Sequence, residues 1–296
     1  MVEIKNYCKS IKSRPILNNV SYNFEYGKIY GIYGHNGSGK TMLLRAIAGL
    51  LVPDSGSVVI DGKVLHKDMS FPPSIGIVIE NMNLLPQYNA FDNLKILGKI
   101  KKTATDEDIK TALERVGLKS DLKVKKFSLG MKQRLGIALA LVGNPDFLVL
   151  DEPINGLDPQ GIVEIRDMLQ RLSEERNITI LISSHILEEL SKLCTDFGII
   201  HNGVLLQEIS QEQLIQQCSK RLELTLDQPE QAMPILDRLG ITRYEMIDVN
   251  HLYLYERLED SAQINAQLVE AGVFPRELRI YQEELERYFL NMTAEK

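Results

Sequence analysis

The chain has 296 residues, is 44% apolar and 25% charged, and carries a net charge of −6. Such a composition suits a soluble globular protein of one large domain or two, and no apolar run approaches the ~20 residues of a membrane-spanning helix. The opening Met-Val-Glu-Ile-Lys lacks the charged-then-apolar design of a secretory signal, and Cys8, Cys194 and Cys218 are too few and too scattered for a disulfide framework or a zinc site, which fits a reduced, cytosolic setting.

The charge is uneven. Residues 1–210 hold 25 Lys/Arg against 24 Asp/Glu, while residues 211–296 hold 9 against 16. An acidic C-terminal part argues against nucleic acid as a partner, because phosphate contacts need Lys and Arg. It also marks a second module.

In chain order, residues 2–6 and 17–24 alternate apolar and polar side chains as half-buried strands do, with turn residues around the second, and predict an antiparallel sheet. Residues 29–50 then read as a short apolar strand, a glycine-rich turn and an amphipathic helix. Gly34, Gly39, Lys40 and Thr41 fit G-x-x-x-x-G-K-[ST] without mismatch. The loop from Gly34 through His35, Asn36, Gly37 and Ser38 to Gly39 can turn several main-chain N–H groups onto phosphate oxygens. Lys40 would add a positive charge there, the Thr41 hydroxyl would bind Mg²⁺, and the helix beginning near Lys40 would point its positive dipole end at the same anion. This stretch predicts a nucleoside triphosphate site.

Short strands follow at 56–62 and at 75–79, the second ending at Glu80. From about 89 to 145 the spacing is helical, with Asp106 at a helix start. Two lysine clusters lie there, Lys95, Lys99, Lys101, Lys102 and Lys119, Lys123, Lys125, Lys126. They suit a solvated helical face, or contact with a membrane surface or partner. A loop at 126–134 leads into a helix from Leu135 to Val142, stopped by Asn144-Pro145. Phe147-Leu148-Val149-Leu150 is apolar at every position, as a strand buried on both faces should be, and ends in Asp151-Glu152. A helix over 160–176 and a strand over 178–183, closed by Ser184-His185, complete an open, mostly parallel sheet whose ligands gather at the carboxyl ends of its strands. Asp151 can hold Mg²⁺ opposite Thr41, Glu152 can orient or deprotonate an attacking water, and His185 can hydrogen-bond the terminal phosphate.

Residues 221–281 read as strand–helix–strand–strand–helix–strand, the split βαβ order, with strands at 221–226, 242–248, 250–255 and 276–281 and helices at 229–239 and 260–271 stopped by Gly240 and Gly272. A last helix is expected from Glu283 to Met292. No catalytic constellation appears in this part, which suits an accessory lobe or a regulatory or dimerising module.

Residues 1–210 resemble the nucleotide-binding subunit of ATP-binding-cassette (ABC) transporters. The resemblance rests on the phosphate loop 34–41, on Phe127-Ser128-Leu129-Gly130-Met131 with Lys132-Gln133-Arg134 at the signature position, and on the acidic strand 147–152. Asn155-Gly156-Leu157-Asp158 stands at the loop that reaches across a dimer, and His185 at the switch histidine. It implies an α/β fold: a P-loop NTPase core with a mostly parallel sheet and flanking helices, an N-terminal antiparallel β subdomain and a helical subdomain at about 89–145. These would form an ATP-binding domain over 1–210, followed by a small α+β C-terminal domain over 211–296.

The resemblance further implies ATP and Mg²⁺ as ligands, and two such subunits, identical or different, closing head to tail. Ser128, Gly130 and Asp158 of one would then reach the ATP held by the other. Glu152 would be the catalytic base with His185 beside it, and a separate transmembrane permease would be driven from the inner face of the cell membrane. Three departures stand out. Glu80 replaces the usual metal-touching glutamine, Ile11 replaces the aromatic that stacks on adenine, and Leu129 and Met131 replace the usual glycine and glutamine of the signature. Glu80 with Ser-Leu-Gly-Met-Lys-Gln resembles the branch exporting bacitracin, lantibiotics and related peptides. The alternatives are a soluble ABC-type ATPase acting on ribosomes or DNA, against which stand a single phosphate loop and no sustained heptad, and a P-loop kinase, against which stands the signature loop.

Overall fold

A computed structural model describes residues 1–80, 82–98, 105–119, 121–217 and 220–281. The expected last helix at 283–292, Lys99, Lys101, Lys102 and Cys218 lie outside these residues. Contacts divide the chain into two compact units, Met1–Gln211 and Glu212–Lys296.

In the first unit β1 (Val2–Ile11) and β2 (Arg14–Phe24) form a long hairpin, followed by β3 (Ile29–Tyr33), α1 (Lys40–Ile47), β4 (Ser55–Ile60), β5 (Lys63–Val64) and β6 (Ile75–Val78). Next come α2 (Ala90–Gly98), α3 (Asp106–Arg115), α4 (Leu129–Leu141), β7 (Phe147–Asp151), α5 (Pro159–Arg176) and β8 (Thr179–Ser184). The unit closes with α6 (Leu187–Ser191), β9 (Asp196–His201) and β10 (Val204–Ser210). One antiparallel sheet has the order β2-β1-β4-β5; the other has the order β10-β9-β3-β8-β7-β6 and is parallel except at β10. This is the α/β core expected.

Leu148, Val149 and Leu150 on β7 are wholly buried, as are Ile180 and Leu181 on β8, each worth roughly 2 kcal/mol of removed apolar surface. One cluster runs from Ile4, Tyr7 and Val20 of the first sheet through Leu43, Leu44 and Ile47 of α1 to Val149 and Leu181 of the second. The helix that follows the phosphate loop is thus packed between the two sheets, and its N-terminus cannot drift.

Several boundaries differ from the sequence reading for physical reasons. β1 runs on to Ile11, because bulges between Ile4 and Tyr7 and again before Lys9 and Ser10 break the period-two pattern that the reading followed. α4 starts at Leu129 rather than Leu135, since the Ser128 hydroxyl accepts from Met131 N at 3.2 Å and caps it. α3 starts at Asp106 as expected, with Thr105 and Asp108 forming a reciprocal capping box. β9 and β10 were not anticipated; β10 is the edge strand and only partly buried, and β9, though buried between β10 and β3, has its apolar run broken by Gly198.

The second unit opens with α7 (Gln211–Gln217) and continues with β11 (Arg221–Thr225), α8 (Met233–Arg238), β12 (Tyr244–Met246), β13 (His251–Leu254), α9 (Ser261–Glu270) and β14 (Glu277–Tyr281). Its sheet, β12-β13-β11-β14, is antiparallel throughout and has the split βαβ arrangement. Leu222, Leu224, Leu252 and Leu254 pack against Leu236 of α8 and Ile264 and Leu268 of α9. Glu223, on the other face, is 6% exposed and is held by Arg221 at 2.8 Å and Arg279 at 2.8 Å. The Arg221 guanidinium lies 4.4 Å from the Tyr253 ring centre and 4.7 Å from that of Tyr281.

Candidate functional site

The carboxyl ends of β3, β7 and β8 carry a connected polar network. Beyond β3 the chain reaches Gly39, whose φ of 111° lies in the left-handed region that favours glycine, and α1 begins directly after it without a side-chain cap. Lys40 is 5% exposed. It donates to Gly34 O at 2.6 Å and His35 O at 3.3 Å, and sits 3.2 Å from Glu152 Oε1. The other Glu152 oxygen is 2.8 Å from His185 Nδ1.

A second branch runs through Asp151. Thr41 Oγ1 donates to Asp151 Oδ2 at 2.8 Å, and Ser183 Oγ donates to Asp151 Oδ1 at 2.5 Å. Ser183 also accepts the Glu152 N–H at 3.0 Å on its hydroxyl and 3.2 Å on its carbonyl. Those bonds hold Glu152 at φ 48°, a left-handed conformation uncommon for a side-chain-bearing residue, and turn its carboxylate from the strand axis toward Lys40.

A cleft of about 660 Å³ opens on this network, lined by Lys40, Thr41 and Glu152 at the polar part and by Arg14, Pro15 and Ile16 of β2 elsewhere. Asn36, Gly37, Gly39 and the β9–β10 turn residues Asn202 and Gly203 complete much of its wall. Gly203 N donates to Ser38 O at 2.7 Å, and Gly203 O accepts from Asn18 N at 2.8 Å. With φ 77° and room for no Cβ (one would lie 2.2 Å from Ile16 O), Gly203 is the residue through which this turn braces the phosphate loop. The sequence reading missed it, as it missed Ser183 and Arg14–Ile16, since none belongs to a local motif.

The cleft fits a polyphosphate. The Ser38 hydroxyl is buried without a hydrogen-bond partner among the described residues, a buried polar atom that a ligand oxygen would satisfy. Lys40 is a buried cation beside an uncapped helix N-terminus, the arrangement that favours an anion. Thr41 Oγ1 and Asp151 Oδ2 form a pair of hard oxygens suited to Mg²⁺, which takes few protein ligands and fills its octahedron with water and phosphate.

Other expected residues lie elsewhere. Ile11 does not line the cleft: the hairpin turns at Lys12 and Ser13 (φ 49° and 64°), leaving Ile11 43% exposed and paired across from Arg14, and the returning strand supplies the cleft wall. Glu80, at φ 60°, binds Arg45 Nη2 at 2.6 Å and lies outside the cleft wall; the arginine on α1 draws the carboxylate to itself. Ser128, Gly130 and Asp158 line a different cleft of about 320 Å³ that shares no lining residue with the first. There Ser128 caps α4, and Asp158 Oδ1 caps α5 by accepting from Gly161 N at 3.1 Å. Arg134 of α4 pairs with Glu164 of α5, joining the two helices in the wall of this cleft. Cys8 is half-buried and Cys194 buried, both free.

Comparison with known proteins is consistent throughout. The family model described as ABC transporter matches residues 17–155. The bacitracin transport ATP-binding protein BcrA of Bacillus licheniformis is 39% identical over 300 residues, 99% of this chain and 97% of that protein. An uncharacterized ABC transporter ATP-binding protein of Bacillus subtilis, YybJ, is 56% identical over 196 residues, 66% of this chain and 89% of that protein. The lantibiotic transport ATP-binding protein SrtF of Streptococcus pyogenes is 41% identical over 211 residues, 70% of this chain and 90% of that one. Among solved structures, a dimeric post-hydrolysis ATP-binding cassette bound to ADP and Pi has a TM-score of 0.63 at 26% identity, covering 71% of this chain and 99% of that chain. A cassette from Clostridium perfringens, part of an ABC transporter complex, has a TM-score of 0.66 at 25% identity, covering 81% and 95%. The chain belongs to the ABC transporter family, as one of its ATP-binding proteins.

Proposed function

We propose that this chain hydrolyses ATP to power an exporter of bacitracin- or lantibiotic-like peptides. The observation that carries the reading is the single hydrogen-bonded network joining Lys40, Thr41, Asp151, Glu152 and His185 at one cleft. The names of relatives matched over 99% and 70% of this chain support the substrate class.

Residues Gly34, His35, Asn36, Gly37, Ser38, Gly39, Lys40 and Thr41 would hold the phosphates, and Thr41 with Asp151 would hold Mg²⁺. The metal would supply positive charge against the repulsion of the phosphates, beside Lys40, the one buried lysine among the described residues. On binding, Lys40 exchanges the Glu152 carboxylate for a phosphate oxygen. Glu152, released on that side and still oriented by His185, takes the proton of the attacking water on its carboxylate oxygen. The Ser183 bonds keep the Glu152 backbone in place while the side chain changes partner.

The cleft at Ser128, Gly130 and Asp158 would face the nucleotide of a second ATP-binding subunit, where the capped end of α4 adds its dipole to the anion. Residues 1–210 form the ATP-binding domain in this reading, and 211–296 an accessory domain. No helix among the described residues is long and apolar enough to cross a membrane, so the translocation path is assigned to a separate permease with this chain peripheral on the inner face. The exposed apolar side chains Leu50, Val52 and Phe71 offer it a contact surface. The test is capture of tagged Glu152→Gln protein from detergent-solubilised native membranes with ATP. Co-recovery of one integral membrane protein of several spans is expected; recovery of ribosomes or DNA instead would overturn the reading.

A further inference from the structure

We propose that Arg14 is the nucleobase platform of the cleft, its guanidinium stacking flat on the base of the bound nucleotide. This rests on the ATP-binding reading of the cleft and goes beyond it by assigning the base.

The cleft wall divides by chemistry. Lys40, Thr41 and Glu152 account for phosphate and metal, whereas Arg14, Pro15 and Ile16 enter from β2 and present an arginine followed by two apolar side chains. An apolar wall is a poor place for a phosphate and a good one for a base. Among the described residues no aromatic side chain lines the cleft, and the exposed Ile11 is not one of its lining residues. A guanidinium is planar, weakly hydrated and delocalised, and stacks on π-faces as a ring would.

Arg14 is also uncommitted. Arg45, Arg134, Arg221, Arg257 and Arg279 each hold a carboxylate, but the Arg14 guanidinium has no ion pair or hydrogen bond among the described residues. Its backbone is set by the tight turn at Lys12 and Ser13 and by pairing with Ile11 across the hairpin. The side chain therefore leaves from a fixed point on the cleft wall with its flat face unused. Stacking reads the presence of a base more than its edge, so the platform accepts any purine.

The chain contains no tryptophan, so Arg14→Trp places a single indole at the platform and makes stacking visible as fluorescence quenching. With a non-hydrolysable ATP analogue and Mg²⁺, saturable quenching is expected in R14W, and none with inorganic tripolyphosphate. In calorimetry, Arg14→Ala should raise the analogue's Kd about two- to thirtyfold, the range of a cation–π contact from exposed to desolvated, and R14W should recover most of it. Unchanged affinity in Arg14→Ala, or loss that R14W does not recover and that Arg14→Lys does, would overturn the proposal, the latter making Arg14 a phosphate contact. Lys40→Ala separates the two levels: if it binds the analogue normally, the ATP reading of the cleft fails, whereas its loss of binding beside an unaffected Arg14→Ala removes the platform alone.

Discussion

Lys40 Nζ lies 3.2 Å from Glu152 Oε1, so the lysine of the phosphate loop and the carboxylate at the end of β7 pair with each other. Both are largely buried, and each satisfies the other's charge. A nucleotide must therefore displace this pair, and the displacement both frees the carboxylate and gives the lysine a stronger anion. Lys40→Ala should weaken ATP binding at least ~100-fold, the scale of losing charge-assisted hydrogen bonds in a buried site. Equilibrium dialysis with labelled ATP measures it; an affinity within threefold of wild type would remove Lys40 from the site.

His185 touches Glu152 and not Lys40, so its loss should affect orientation of the carboxylate more than capture of phosphate. His185→Ala should lower turnover about 10–100-fold, as expected for one hydrogen bond to a charged group, with ATP affinity unchanged. Single-turnover kinetics beside binding measurements separate the two; an equal loss in both would place His185 on the nucleotide.

Thr41 and Asp151 share a 2.8 Å hydrogen bond, and Ser183 fixes the other Asp151 oxygen. Chelation with EDTA should abolish hydrolysis. Thr41→Ala should raise the Mg²⁺ concentration for half-maximal turnover about tenfold or more, the usual cost of disturbing a metal's ligand set. A Mg²⁺ titration unchanged in Thr41→Ala would move the metal away from this pair.

Glu80 and Arg45 form a half-exposed pair, with side chains 58% and 35% accessible. Glu80→Gln should leave ATP affinity within about twofold of wild type, because the carboxylate is engaged outside the cleft wall. A double-mutant cycle on stability should give a coupling of about 0.2–1 kcal/mol, as for exposed ion pairs. A large change in Mg²⁺ dependence in Glu80→Gln would show instead that this carboxylate leaves Arg45 and joins the metal when nucleotide binds.

In the second unit burial alone would raise the Glu223 pKa, but Arg221 and Arg279 outweigh it and hold the carboxyl below its ordinary value of 4.5. A depressed folded pKa gives stability that is complete above the unfolded value and is lost as pH falls through the folded one. Protection of β11 and β14 amides from hydrogen exchange, relative to β3, should therefore fall as the pH drops below about 4.5. Glu223→Gln should speed their exchange about fivefold at pH 7, the equivalent of ~1 kcal/mol of local stability, and remove the acid dependence. Equal protection in both proteins across that range would contradict the role given to the carboxylate.

The strand-ending motifs were legible because each is local. Lys40 and Thr41 belong to one loop, Asp151 and Glu152 end a run of buried apolar residues, and His185 follows another. Register alone brings them together once β3, β7 and β8 pair in parallel. The split βαβ order of the second unit was legible for the same reason, its glycine stops being Gly240 and Gly272 at φ 75° and 83°. What escaped depends on distant partners. Arg14 reaches the cleft only because the hairpin turns two residues after Ile11, Gly203 braces a loop 165 residues away from it at Ser38, and Arg45 draws in a glutamate from beyond β6. None of these pairings leaves a periodicity or a spacing for the sequence to display.

The most direct test of the central claim is the ATP turnover of Glu152→Gln measured beside its ATP affinity. Binding at wild-type strength with hydrolysis slowed at least ~100-fold, the scale of a lost general base, is the predicted result. Undiminished turnover with intact binding would contradict it and shift the proton acceptor away from Glu152.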